Sequence, residues 1–194
     1  VLQRFAALFE ANMDELAVLE TLDMGKPIAE SRSIDVNVVL DTLQWYAECP
    51  DKLYDEIAPT GPGTLATITR EAVGVVGAVV PWNFPMLMAA LAMGNSVVLK
   101  PAEQSPLTAI RLAELAAEAG IPDGVFNVVP GFGPTAGKAL GLHMDVDCLA
   151  FPGSGEVGRL FLQYAGTSNM KRVYLECGGK SPNIILNDAP DLRA

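Results

Sequence analysis

In LECGGKSP (175–182), Glu176 closes an apolar run and is followed, across Cys177, by Gly178 and Gly179. Paired glycines let a backbone approach a ligand closely. A carboxylate at the end of a strand serves as a general base when partial burial raises its pKa. A second chemistry competes for the same acid. In FPGSGEVG (151–158), Gly153, Gly155 and Gly158 spell G-x-G-x-x-G, the dinucleotide fingerprint, and Glu176 lies 18 residues past Gly158. An acid at about that spacing holds ribose hydroxyls in such a unit. The bland alternative is a tight turn into a helix. From the residues alone, both roles of Glu176 stand open.

Other strand ends carry chemistry of their own. GFGPTAG (131–137) is a second glycine run, with spacing G-x-G-x-x-x-G. At most one of the two runs is a standard pyrophosphate grip. VVPWNFP (79–85) places Asn83 among aromatics and prolines. A carboxamide there donates to a developing oxyanion, or else caps a rigid turn. VVLKPAEQSP (97–106) sets Lys100 near Glu103. A cation and an acid together clasp ribose hydroxyls, or form a surface ion pair worth little. His143, the sole histidine, reads as loop structure, with no partner for a catalytic triad.

These residues need a frame. The chain has 194 residues, 50% hydrophobic and 19% charged, enough for one globular domain with a small appendage. No apolar run reaches the roughly 18 residues that span a bilayer, and no secretory signal opens the sequence. The formal net charge of −10 argues against nucleic acid as a partner. Cys49, Cys148 and Cys177 are widely spaced and odd in number, which points away from metal ligation and disulfides and towards a reducing cytoplasm.

The spacing predicts helix over RFAALFEANMDELAVLETL, with Phe5, Leu8, Phe9, Leu16 and Leu19 on one side. After the Gly25–Pro27 break it predicts another helix from about Pro27 towards Tyr46, with Ile34, Val38 and Trp45 on its apolar stripe. PTGPG (59–63) is a turn and TLATITREAVGVV reads as extended. From Val75 a rhythm follows. VVGAVV, SVVLK, VFNVV, CLAF and KRVYLEC are strands, and NIILN (183–187) is expected to be one. SPLTAIRLAELAAEAG, PTAGKALG and SGEVGRLFLQYAG are helices, the first with Ser105 as N-cap and Pro106 at its first position. Short apolar strands alternating with amphipathic helices mean βαβ units and a mostly parallel sheet. Ligands then sit beyond the carboxyl ends of the strands, after Val80, Lys100, Val129, Phe151 and Glu176.

PWNFP, NSVVLKP, NVVPGFGPTAG, the GS-x-EVG turn and LECGGKSPNI stand in one order along the chain. Together they resemble the NAD(P)-dependent aldehyde dehydrogenase superfamily, and SNMKRVYLECGGKSPNI is similar to bacterial members acting on amino- or γ-glutamylamino-aldehydes from polyamine breakdown. The resemblance implies an α/β, Rossmann-like, mostly parallel sheet with flanking helices. Residues 1–58 would be the helical part of the cofactor domain, 59–74 a β-hairpin used in oligomerisation, and 75–194 the nucleotide-binding part. The partners implied are a small aldehyde, NAD (with NADP possible) and further copies of the chain in a dimer or tetramer.

The resemblance also implies residue roles. Lys100 and Glu103 hold the adenosine ribose, and Gly133, Pro134 and Gly137 flank the adenine side. Phe151, Gly153, Ser154 and Val157 line the cofactor, Ser154 near the pyrophosphate. Val80, Pro81 and Trp82 line its path, and Gly178 allows close backbone approach. Asn83 donates to the oxyanion formed when a cysteine thiolate adds to the aldehyde, and Glu176 activates water to release the acid. The family places that cysteine well downstream of LECGGKS, so the expectation is a cofactor-binding portion, inactive alone or acting as a non-enzymatic nucleotide-binding or assembly module. Cys177 is expected to point to the strand face opposite Glu176.

Two departures stand out. MLMAALAM (86–93) supplies about two helical turns where the family has about four. Pro152 and Gly155 replace threonines, removing a backbone donor and loosening a first helical turn.

Overall fold

The computed structural model describes residues 1–81 and 89–179. The chain opens with helices α1 (Leu2–Ala11) and α2 (Met13–Met24). The single helix expected here is broken at Asn12, whose φ of −114° leaves the helical region and whose Nδ2 donates to the Leu8 carbonyl at 2.7 Å. An asparagine side chain that bonds backbone offers the chain an alternative to continuing the helix. Gly25 then ends α2 in the left-handed region at φ 69°.

The next helical run comprises α3 (Ile28–Glu30), a π-helical stretch over Ser31–Asp35 and α4 (Val36–Glu48). The expected stripe is overturned: Ile34, Val38 and Trp45 are exposed, Trp45 by 69%, while Val36, Leu40 and Leu43 are buried. A π turn holds more residues than an α turn and so rotates the apolar phase of everything after it.

Beyond a short turn, β1 (Glu56–Ala58) pairs antiparallel with β2 (Ala66–Ile68), Ile57 opposite Thr67. Arg70 reaches back to the Tyr54 carbonyl and to Glu56. The hairpin stands apart from the main sheet, with Ile57, Leu65 and Ile68 exposed.

The main sheet has five parallel strands: β3 (Val75–Val79), β4 (Ser96–Lys100), β5 (Phe126–Val128), β6 (Cys148–Gly153) and β7 (Arg172–Cys177). Their spatial order is β5-β4-β3-β6-β7. The chain fills one side of β3 first, then crosses to the other, so the strand order reverses between β3 and β6. That is where doubly wound sheets open a crevice at their carboxyl ends.

Both faces are covered. Val76, Ala78, Val80, Val97 and Leu99 pack against α1, α4 and α6 (Leu107–Ala119). Val79, Leu149 and Phe151 pack against α7 (Lys138–Leu142) and α8 (Gly155–Gly166). The helix α6 begins just after Pro106, where the Asp23 carboxylate accepts from the Leu107 N–H at 2.7 Å, and ends at Gly120 with φ 87°. The short helix expected over PTAGKALG is a π-helical turn, Gly133–Gly137, running into α7. One further helical turn, α5 (Ala89–Ala92), precedes β4. The expected strand at NIILN falls outside the described residues.

The helices α2 and α6 are joined by a buried polar contact. Glu20 is 4% exposed and accepts from Thr108 Oγ1 at 2.9 Å. Burial raises its carboxyl above the ordinary value, aided by Asp35 and Asp23, while Thr108 and Lys26 act in the opposite sense. A raised folded-state pKa means that the proton stabilises the fold. The contribution is fully present below the unfolded carboxyl pKa and is lost as pH rises through the folded value. Glu20→Gln keeps a partner for Thr108 without the charge. Its stability relative to wild type should improve between pH 4 and pH 7 in urea unfolding midpoints; a difference independent of pH would refute the assignment.

Candidate functional site: a cavity at the sheet's switch point

A cavity of about 330 Å³ opens at the carboxyl ends of β3, β4 and β6. That is within the size of small-molecule sites, at the low end. Three sheet side chains on one face form its floor, because Val79 and Lys100 are register partners and Phe151 of β6 packs on that side. The helix α8 forms a wall with Val157, Leu160, Phe161 and Tyr164, four residues at helical spacing. The Phe161 ring lies 5.0 Å from Phe151 and meets Tyr164 edge-on at 6.0 Å. Such rings provide a large, rigid apolar surface. Gly141 lets α7 close on this wall, since a Cβ there would come within 2.7 Å of Tyr164.

The polar part of the cavity comes from the segment after β4. The Lys100 side chain is only 3% exposed, and its Nζ lies 2.9 Å from Glu103 Oε2. A buried ammonium without a partner is costly, so this is no surface ion pair. Glu103 is held below the ordinary carboxylate range, first by Lys100 and then by its own backbone N–H, with Gly133 contributing a further N–H. Lysine carries three donors, and Glu103 engages one of them.

The expected site residues divide. Val80, Lys100, Glu103, Gly133, Pro134, Gly137, Phe151 and Val157 all line this one cavity. Pro81, Gly153, Ser154 and Gly178 lie outside its lining. Trp82 and Asn83 fall outside the described residues. Ser154 caps α8, its Oγ accepting from the Val157 N–H at 3.2 Å. Glu176 is exposed, near the end of strand β7, and lies outside the lining of this cavity. Cys177 does face away from it: its Sγ donates to the Ser154 carbonyl at 3.7 Å and packs towards Gly158, where a Cβ would come within 3.1 Å of the sulfur. Cys148 is buried, and burial pushes its thiol up, away from the thiolate. His143 Nδ1 accepts from the Asp145 N–H at 3.2 Å, the turn role expected of it.

Sequence reasoning missed Val79, Ala102, Lys138, Leu160, Phe161 and Tyr164. The 157, 160, 161, 164 spacing on an amphipathic helix was the available signal for the α8 residues. Strand alternation pointed to Val79. For Lys138 there was none. Among the described residues, no group of three or more His, Cys, Asp or Glu side chains is placed to hold a metal, and no helix is long and apolar enough to cross a membrane.

The depressed Glu103 carboxyl adds stability above the ordinary carboxylate pKa and loses it as pH falls through its folded value, an effect kept small by its exposure. Lys100→Met should move the Glu103 titration up towards the ordinary range in carbon-detected NMR. An unmoved titration would mean that Lys100 is not what holds it down.

The aldehyde dehydrogenase family model matches residues 1–194. NADP/NAD-dependent aldehyde dehydrogenase PuuC of Escherichia coli (strain K12) is 57% identical over 199 residues, covering 100% of this chain and 40% of that protein. Aminoacetaldehyde dehydrogenase of Pseudomonas aeruginosa is 56% identical over 197 residues, covering 98% and 40%. A mutant of the P. syringae indole-3-acetaldehyde dehydrogenase AldA, solved with NAD+ and IAA, superposes with a TM-score of 0.90 at 60% identity, covering 100% and 40%. The chain thus spans about 40% of the length of these relatives. Matched along its whole length and sharing more than half its residues with these proteins, the chain belongs to the aldehyde dehydrogenase family.

Proposed function

We propose that this chain binds the adenosine end of NAD(P) in the cavity beside Lys100 and serves the NAD(P)-dependent oxidation of an aldehyde to a carboxylic acid. The observation that carries the reading is the buried Lys100 beside Glu103 at the mouth of an apolar, aromatic-walled cavity. One side chain donates and the other accepts, the pairing that vicinal ribose hydroxyls need. Pro134, Val157 and Phe151 offer apolar surface to a planar base. The first-turn N–H groups of α8, beyond its Ser154 cap, suit a pyrophosphate.

When bound, the nicotinamide supplies the hydride acceptor. The chain's own residues do the rest of their share around the aldehyde carbon. Asn83 donates to the oxyanion that forms when a cysteine thiolate adds to the carbonyl. Glu176, exposed at the end of β7, takes a proton from the water that hydrolyses the acyl intermediate. Neither buried Cys148 nor inward-packed Cys177 has the setting of a nucleophile, so that thiol is assigned to neither of them. The substrate class proposed is a small amino-aldehyde, the class named for the P. aeruginosa aminoacetaldehyde relative. The exposed apolar residues of the β1–β2 hairpin, Ile57 and Leu65 among them, favour assembly with further copies as a second role.

Calorimetric titration of the 194-residue chain with NAD is the direct test. Wild type should bind, Glu103→Ala should bind about tenfold more weakly, and Glu176→Gln should bind as wild type does. Loss of binding in Glu176→Gln would make Glu176 the ribose acid. No binding by folded wild type would leave only the assembly role.

A further inference from the structure

Lys138 is the cavity residue that the reading above leaves unused. It is the first residue of α7, is exposed, and lines the cavity together with Gly133, Pro134 and Gly137. Lys100 is matched by Glu103 at 2.9 Å, but among the described residues no carboxylate stands within ion-pairing distance of Lys138. The cavity wall therefore carries two cations and one anion, and one positive charge is uncompensated, in a chain whose formal net charge is −10.

Charge decides which adenosine end fits. Glu103 alone would repel a second phosphate on the ribose. Its charge is already engaged by Lys100 and by the Gly133 N–H. We propose that Lys138 is a specificity-determining residue of this cavity, supplying the charge that admits the 2′-phosphorylated ribose of NADP alongside NAD. A lysine suits the role as a compact charge with three donors on a long flexible stem. The phosphate brings about −1.5 to −2 charges to it. The inference rests on reading the cavity as a dinucleotide site.

The test is calorimetric titration of the 194-residue chain with NAD and with NADP at low and high salt, for wild type, Lys138→Gln and Lys138→Arg. Lys138→Gln should weaken NADP about fivefold and NAD by less than about twofold. Lys138→Arg should retain NADP, and the difference between wild type and Lys138→Gln should shrink as salt rises. Equal weakening of both ligands, unchanged NADP binding in Lys138→Gln, or wild type that binds NAD and not NADP would overturn the role of Lys138 and leave the cofactor reading intact. Folded wild type that binds neither would overturn the reading itself.

Discussion

The site depends on one buried ammonium. Lys100 ends a central parallel strand with its side chain 3% exposed, and Glu103, three residues on, is its partner at 2.9 Å. Removing an unpaired charge from water costs several kcal/mol, so the segment after β4 must turn to bring Glu103 back over the strand end. It does so just after the fully buried Pro101, where the Ser105 N–H donates to the Ala102 carbonyl at 3.2 Å, and α6 begins at Leu107. The same constraint shapes the opposite wall, because the Gly133 N–H also serves the Glu103 carboxylate. The cavity is thus the space left where a charge pair, a glycine-led π turn and the aromatic face of α8 meet around the sheet's switch point.

That geometry settles which glycine run frames the cavity. Gly133 and Gly137 line it, whereas Gly153 completes strand β6 and stays out of its lining. In FPGSGEVG, Gly158 has a packing role: it lets α8 lie against Leu175 and Cys177 of β7. The literal G-x-G-x-x-G therefore contains a helix–strand contact. Glu176, on the outermost strand among the described residues, lies outside the lining formed by Lys100 and Glu103.

Much of this was legible in the residues. The alternation of apolar strands and amphipathic helices put strand ends at Val80, Lys100 and Phe151; β4 does end at Lys100, β3 stops one residue earlier and β6 runs on to Gly153, and all three residues border the cavity. What was not legible has physical causes. The π turn at Ser31–Asp35 shifted the buried stripe from Ile34, Val38 and Trp45 to Val36, Leu40 and Leu43, and no local residue type announces such a turn. Asn12 splits one apolar period into two helices through a side chain to backbone bond. Lys138 carries no spacing signal, since a surface lysine at the start of a helix becomes part of a site only when tertiary packing places it beside a cavity. Why Pro152 and Gly155 stand where the family has threonines has no explanation in the structure.

A crystal structure of the chain with NAD bound would test the central claim most directly. The ribose hydroxyls of the adenosine should lie within hydrogen-bond distance of Lys100 Nζ and the Glu103 carboxylate, with the base against Pro134 and Val157. An adenosine gripped instead by Glu176 at the edge of β7, with Lys100 and Glu103 paired only to each other, would contradict it.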